Sequence, residues 1–248
     1  MSEPDSFLSH LIELRDRLLR SVVAVIVVFL PCFYFAPQLY DILATPLMSA
    51  LPEGAHMIAT GVVTPFLVPV KVALMVAICL ALPVLLYQAW AFVAPGLYAH
   101  EKRFVLPLVV ASTVLFFMGV AFCYFFVFGV VFKFVYSIAP KSIEVAPDIE
   151  NYFSFVLGMF MAFGVTFEVP IAVILLVKMG MVSVAKLREV RPYVIVGAFV
   201  VAAVVTPPDV ISQIMLAVPL WFLYEVGILV STFIEKPRAS EAASSNQS

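Results

Sequence analysis

The sequence predicts an all-α integral membrane protein of six transmembrane helices, with both ends in the cytoplasm. Three observations predict it. Of 248 residues, 64% are hydrophobic and 12% are charged, more apolar side chain than a soluble domain of this size can cover. The apolar runs are long and continuous rather than alternating. Lipid offers no hydrogen bonds to the backbone, so each run must satisfy its own amides as a helix. The basic residues gather in alternate connecting segments, the asymmetry that sets membrane orientation.

The chain opens with an amphipathic helix over 6–20. Phe7, Leu8, Leu11, Ile12, Leu14, Leu18 and Leu19 fill one face, and Ser9, His10, Glu13, Asp16, Arg17 and Arg20 fill the other. Glu13 stands at the centre of the polar face, four residues from Arg17, a spacing that suits a surface ion pair. Arg15 falls on the apolar face, where a charge must snorkel or meet a carboxylate or phosphate.

Six spans follow, at about 21–36, 68–90, 104–136, 152–177, 193–205 and 210–232. With the N-terminus inside, the cytoplasmic segments hold Arg15, Arg17, Arg20, Lys102, Arg103, Lys178, Lys186, Arg188, Arg191, Lys236 and Arg238. Lys71, Lys133 and Lys141 remain outside. Span five is too short to cross unaided, since at ~1.5 Å per residue it reaches only about 20 Å of a ~30 Å core. Span three is too long, at about 50 Å, and must tilt or project. The Pro207–Pro208–Asp209 turn is therefore expected below the outer surface. The first outer loop, 37–66, carries Pro37, Pro46, Pro52 and Pro65, which predicts short rigid pieces rather than one helix. The Ala/Ser/Glu-rich segment 236–248 is expected to be a disordered cytoplasmic tail after a single membrane domain over 1–235.

Several polar residues stand where apolar ones would be less costly. Glu168 lies in span four about ten residues before Lys178, near the bilayer midplane, and must face a cavity or a partner, or be protonated. Thr206 and Gln213 flank the turn into span six, where hydroxyls and amides join helices. Asp209 most simply caps span six, and Asp148 stands near the start of span four. Glu101 lies in the cytoplasmic loop after span two. If that loop folds toward the N-terminal helix, Glu13 and Glu101 form a two-carboxylate site suited to guanidinium groups.

Catalytic and cofactor chemistry finds no footing. Cys32, Cys79 and Cys123 sit singly in apolar runs, and His10, His56 and His100 form no metal-ligand spacing. No nucleophile elbow, zinc-protease motif or phosphate-binding glycine loop occurs, so neither an enzyme nor a bound cofactor or metal is expected. No basic, aromatic-interleaved patch suggests nucleic acid. Acidic residues precede the first apolar run and no small-residue cleavage site follows it, so a cleaved signal peptide is not expected.

Phe7-Leu8-Ser9-His10-Leu11-Ile12-Glu13-Leu14-Arg15 resembles the opening of the TatC family, the receptor subunit of the twin-arginine (Sec-independent) protein translocase. Met57-Ile58-Ala59-Thr60 and Tyr87-Gln88-Ala89-Trp90-Ala91-Phe92 continue the resemblance. So do Ala162-Phe163-Gly164-Val165-Thr166-Phe167-Glu168-Val169-Pro170, Arg191-Pro192-Tyr193 and Thr206-Pro207-Pro208-Asp209. The resemblance implies a receptor in the inner membrane that binds twin-arginine signal peptides of folded precursors and self-associates in a larger complex. It implies TatB-type and TatA-type single-span partners and export driven by the proton-motive force. By motif, Glu13 and Glu101 would contact the signal arginines, and Arg15, Phe92 and Pro46 would lie in functionally sensitive regions. Glu168 would be the polar residue of a concave membrane face, and Thr206 and Gln213 would help form a partner site. The rival reading is a proton-coupled transporter of a small solute using Glu168. It would require internal repeats and broken helices at paired positions, and neither is found.

Overall fold

The structure is a computed structural model that describes residues 4–49, 56–93, 102–138, 146–206 and 209–234. Glu101, the Pro207–Pro208 pair and the tail from 236 lie outside the described residues. What is described is helical throughout, apart from short connections.

α1 runs unbroken from Pro4 to Tyr34. The amphipathic segment and the first apolar span are thus one helix, because nothing between them removes an amide or frees the backbone: the stretch 6–30 contains neither Pro nor Gly. Pro31 comes only near the end. α2 spans Ala36–Met48. The first outer loop, expected as short rigid pieces, thus opens with one helix of 13 residues, and its described stretch 56–63 is not helical. Pro37 occupies the first turn, where its missing N–H would have had no partner. Pro46 is internal and leaves the Ile42 carbonyl without its helical amide. The Tyr124 hydroxyl donates to that carbonyl instead, at 3.0 Å.

α3 runs Thr64–Val93 and carries Pro69 and Pro83 inside it. α4, Lys102–Phe122, passes through one π-helical turn, Cys123–Val127, into α5, Phe128–Ile138. In that turn Cys123 and Val127 are buried, while Phe125 and Phe126 swell outward and are exposed. α6, Ile149–Phe167, and α7, Val169–Lys178, are separated only at Glu168. Pro170, lacking an N–H, is the cause of the interruption. Gly180, at φ +70°, then ends α7, with the Met181 amide reaching back to the Leu176 carbonyl at 3.0 Å. The short α8, Val184–Glu189, is capped by Ser183 and leads into α9, Arg191–Val205. α10 covers Val210–Ile234.

Among the described residues five helical stretches are long and apolar enough to cross a membrane: Leu11–Tyr34, Thr64–Phe92, Leu106–Val135, Ile149–Lys178 and Val210–Phe233. α9 has 15 residues and falls short. α6 occupies the centre and packs against α3, α4 and α10, while α1 lies along α3 at the edge. Rings fill the centre: Phe122 meets Phe163 and Phe167 at 5.9 Å each, and Phe128 meets Phe160 at 5.3 Å. α4 and α6 touch backbone to side chain. A Cβ on Gly164 would enter the Phe116 ring, and one on Gly119 would stand 2.5 Å from the Phe163 carbonyl oxygen. At the periphery Val23, Val27 and Leu30 of α1 and Val196, Val200 and Val204 of α9 are exposed, a surface that suits lipid rather than water.

Candidate functional site

At one end of the bundle α1 and α3 are tied by polar side chains. Arg17 donates to Glu13 Oε1 through Nε at 2.8 Å and Nη2 at 2.5 Å, the pairing of residues four apart on one helix. Its Nη1 reaches the buried Gln88 Oε1 on α3 at 3.4 Å. Arg17 thus fixes Glu13 in one orientation while joining two helices. Arg15 is 67% exposed and grips Asp16, its chain neighbour, at 2.7 and 2.9 Å. Phe92, half-buried, stands one turn beyond Gln88 on α3. Glu101, the other expected carboxylate, lies outside the described residues.

Deeper in, Trp90 of α3 donates its indole N–H to the Ser112 hydroxyl of α4 at 3.0 Å. Ser112 is wholly buried and is the side chain that faces the Glu168 carboxyl. Both carboxyl oxygens of Glu168 are buried, yet neither has a hydrogen-bond partner among the described residues. The interruption at Pro170 turns the chain so that Glu168 closes α6 and opens α7 at once. A buried carboxyl left this way costs the fold free energy.

The α9–α10 junction is built differently. Thr206 is buried and donates its hydroxyl to the Ala202 carbonyl at 2.8 Å. Asp209 accepts from the Ser212 amide at 2.7 Å, and Gln213, half-buried, stands one turn on. At the start of α9 Arg191 holds Glu225 of α10 at 2.5 Å, and the Tyr224 hydroxyl of α10 donates to the Leu187 carbonyl of α8 at 2.8 Å.

At the opposite end from Glu13, two connecting segments clamp together. Ile58 and Asp148 form a parallel bridge, with the Ile58 amide on the Pro147 carbonyl at 3.0 Å and the Ile149 amide on the Ile58 carbonyl at 2.9 Å. Asp148 Oδ1 accepts from the amides of Glu150 and Asn151 at 3.0 Å each. Its Oδ2 accepts from the Thr60 hydroxyl at 2.7 Å and the Thr60 amide at 3.2 Å. Those bonds, led by the Thr60 hydroxyl, hold its carboxyl below the usual carboxylate range. Lys71 pairs with Glu150 at 2.8 Å beside it. Pro46 belongs to this end through the Ile42–Tyr124 bond.

Sequence reasoning assigned no role to Ser112, Gln88 or Thr60. Ser112 carried a signal, a hydroxyl within a long apolar run. Thr60 stood in a stretch that carries the family resemblance, but nothing there pointed to its partner, 88 residues away. Among the described residues no three His, Cys, Asp or Glu side chains converge as metal ligands.

Comparison with known proteins gives this geometry its family. Residues 9–219 match the family model described as TatC, Sec-independent protein translocase protein. The Sec-independent protein translocase protein TatC of Azotobacter chroococcum is 52% identical over 251 residues, covering 98% of each chain. That of Escherichia coli K12 is 51% identical over 233 residues, covering 94% of this chain and 90% of the relative. A crystal structure of the twin-arginine translocase receptor TatC superposes with a TM-score of 0.80 at 38% identity, over 92% of this chain and all of that one. This multi-pass membrane protein belongs to the TatC family of protein translocase components.

Proposed function

We propose that this chain is the receptor and core scaffold of its translocase, reading paired arginines of signal peptides on folded precursors with Glu13 and Glu101. The observation that carries the reading is Glu13 itself. In a chain similar almost throughout to a twin-arginine translocase receptor, Glu13 is held in place by Arg17 at the junction of α1 and α3. A carboxylate already oriented loses little freedom when a second guanidinium approaches, and a guanidinium binds carboxylates through two parallel bonds. Arg15 and Phe92 flank this place on α1 and α3.

In this reading the chain crosses the inner membrane six times, with α9 as the short fifth span and both termini in the cytoplasm. The eleven basic residues on that side support the orientation. TatB-type and TatA-type single-span partners dock along α9 and α10, where Thr206 and Gln213 offer polar contacts, and copies of the chain associate in a larger complex. Glu168 presents a carboxyl to the membrane-facing concavity during export driven by the proton-motive force.

The test is crosslinking of a twin-arginine precursor to membranes containing wild type or Glu13→Ala plus Glu101→Ala. Each charged hydrogen bond lost is worth about 1.5–3 kcal/mol, so binding is expected to fall at least about tenfold. Equal crosslinking to both would sink the arginine site. No crosslinking to wild type would sink the receptor reading as a whole.

A further inference from the structure

At the end of the bundle that carries Asp148, the ends of α2 and α5 and the starts of α6 and α10 border an open cavity of about 360 Å³. This is within the size range of small-ligand sites. Its walls are three rings, Phe132, Tyr152 and Phe155, and the aliphatic Leu47, Val131 and Val135. The rings brace each other: Phe132 lies 5.7 Å from Tyr152 and meets Phe155 edge-on at 5.9 Å. The Tyr152 hydroxyl is engaged with the Leu43 carbonyl at 2.9 Å, so Tyr152 serves the cavity as a ring rather than as a polar group.

Besides the Tyr152 hydroxyl, the polar side chains of its lining are Asp148, Asp209 and Asn151. Two of those three are acids, and among the described residues no basic side chain lines the cavity. The nearby Lys71 is committed to Glu150 at 2.8 Å, and Lys133 of α5 is two residues from both Val131 and Val135, off their face. The cavity floor is buried, Leu47 at 1% and Val131 at 2% exposed, whereas Val135 at the mouth is 42% exposed. Val135 is also the last residue of an apolar membrane-length stretch. The cavity therefore opens where lipid tails give way to headgroups.

We propose that this cavity binds the ammonium headgroup of an ethanolamine phospholipid from the outer leaflet. Aromatic rings attract a cation at their faces, and the attraction grows when water is excluded. Asp148, whose oxygens already accept four hydrogen bonds, and Asp209 supply negative charge beside the rings, and the ammonium is attracted to that charge rather than bonded to Asp148. A headgroup of net negative charge meets the same two acids unfavourably. The lipid tails run down the exposed, apolar side of α5. Assignment to the outer leaflet rests on the membrane orientation proposed above; the headgroup preference does not.

Native mass spectrometry of the full chain, purified in detergent and supplied with equal phosphatidylethanolamine and phosphatidylglycerol, tests this without reference to orientation. Wild type is expected to retain phosphatidylethanolamine at least tenfold over phosphatidylglycerol. Asn151→Lys sets a tethered ammonium in the mouth and Val135→Trp obstructs it; both are expected to abolish the preference, while Asn151→Gln keeps it. Equal retention of the two lipids by wild type would overturn the proposal, and so would a preference unchanged in Asn151→Lys and Val135→Trp. A preference that persists in those variants while a single-span partner no longer co-purifies would also overturn it, in favour of a protein segment in the cavity.

Discussion

The two ends of α6 carry two acids with opposite treatment. Asp148, at the start, receives two amides of its own helix and both donors of Thr60. Glu168, at the close, has both oxygens buried and no hydrogen bond to either among the described residues. The helix dipole does not account for the contrast, because Glu168 closes α6 and opens α7 at once, whereas Asp148 stands only at a helix start. Asp148 is therefore part of how the chain folds, joining two segments far apart in sequence. Glu168 contributes no such join, and its burial costs the fold free energy, which is why the proposed function gives it a role.

The largest expected effect comes from breaking the frame that holds both acids. Gly164→Leu drives a side chain into the Phe116 ring and forces α4 from α6, taking Ser112 away from Glu168. Overpacking of this kind costs about 1–3 kcal/mol or more, to be read as a lower unfolding temperature by circular dichroism in detergent. Glu168→Leu comes next and has the opposite sign: relief of a buried carboxyl supported only by the nearby Ser112 hydroxyl, which falls short of hydrogen-bond geometry, raises stability by up to about 1–3 kcal/mol, while precursor export in cells falls. A destabilised Glu168→Leu would show that the carboxyl is structural after all.

Asp148→Ala is expected to lower the unfolding temperature, and Asp148→Asn to lower it less, because an amide still caps. The pH dependence has a definite sign. The folded carboxyl titrates below its ordinary value of 3.8, so its contribution is complete above that value and is lost as pH falls through the folded one. An Asp148→Ala protein should thus differ from wild type at pH 7 and converge with it in strong acid. The smallest effect belongs to Lys71→Ala. Its bridge to Glu150 is about half-exposed on both sides, and such pairs contribute about 0–1 kcal/mol. A larger loss would mean that this pair, and not Asp148, holds the clamp.

The helical membrane class was legible in the sequence because lipid leaves a chain so few options: a long apolar run must be a helix. Local capping chemistry was legible on the same grounds, since an acid just before a helix finds free amides there, and Asp209 meets the Ser212 amide. The continuity of α2 was not legible. It depends on Tyr124, 82 residues from Ile42, donating to a carbonyl that Pro46 had left open. Nor was the clamp around Asp148, since Thr60 lies 88 residues from it in the chain and the helices between must bring the two together. At the candidate site the sequence singled out Glu13 and Glu168 by charge alone. The groups that define their surroundings, Gln88 and Ser112, are neutral; a motif holds the one and an apolar run the other, but which acid each serves shows only in the geometry.

The π turn at Cys123–Val127 bears on how this chain tolerates a change of length. Such a turn holds one residue more than the α-helical turn it replaces. Wound as a plain α-helix, the same residues would swing everything after Val127 by about 100° and carry Phe128 and Phe132 away from the central rings. A deletion of one residue at Phe125 or Phe126, both on the outer bulge, would instead close the ordinary ladder and leave every inward side chain on its present face. The span is thus one deletion away from a regular helix with the same packing, whereas an insertion at the same point has no slack left to absorb it.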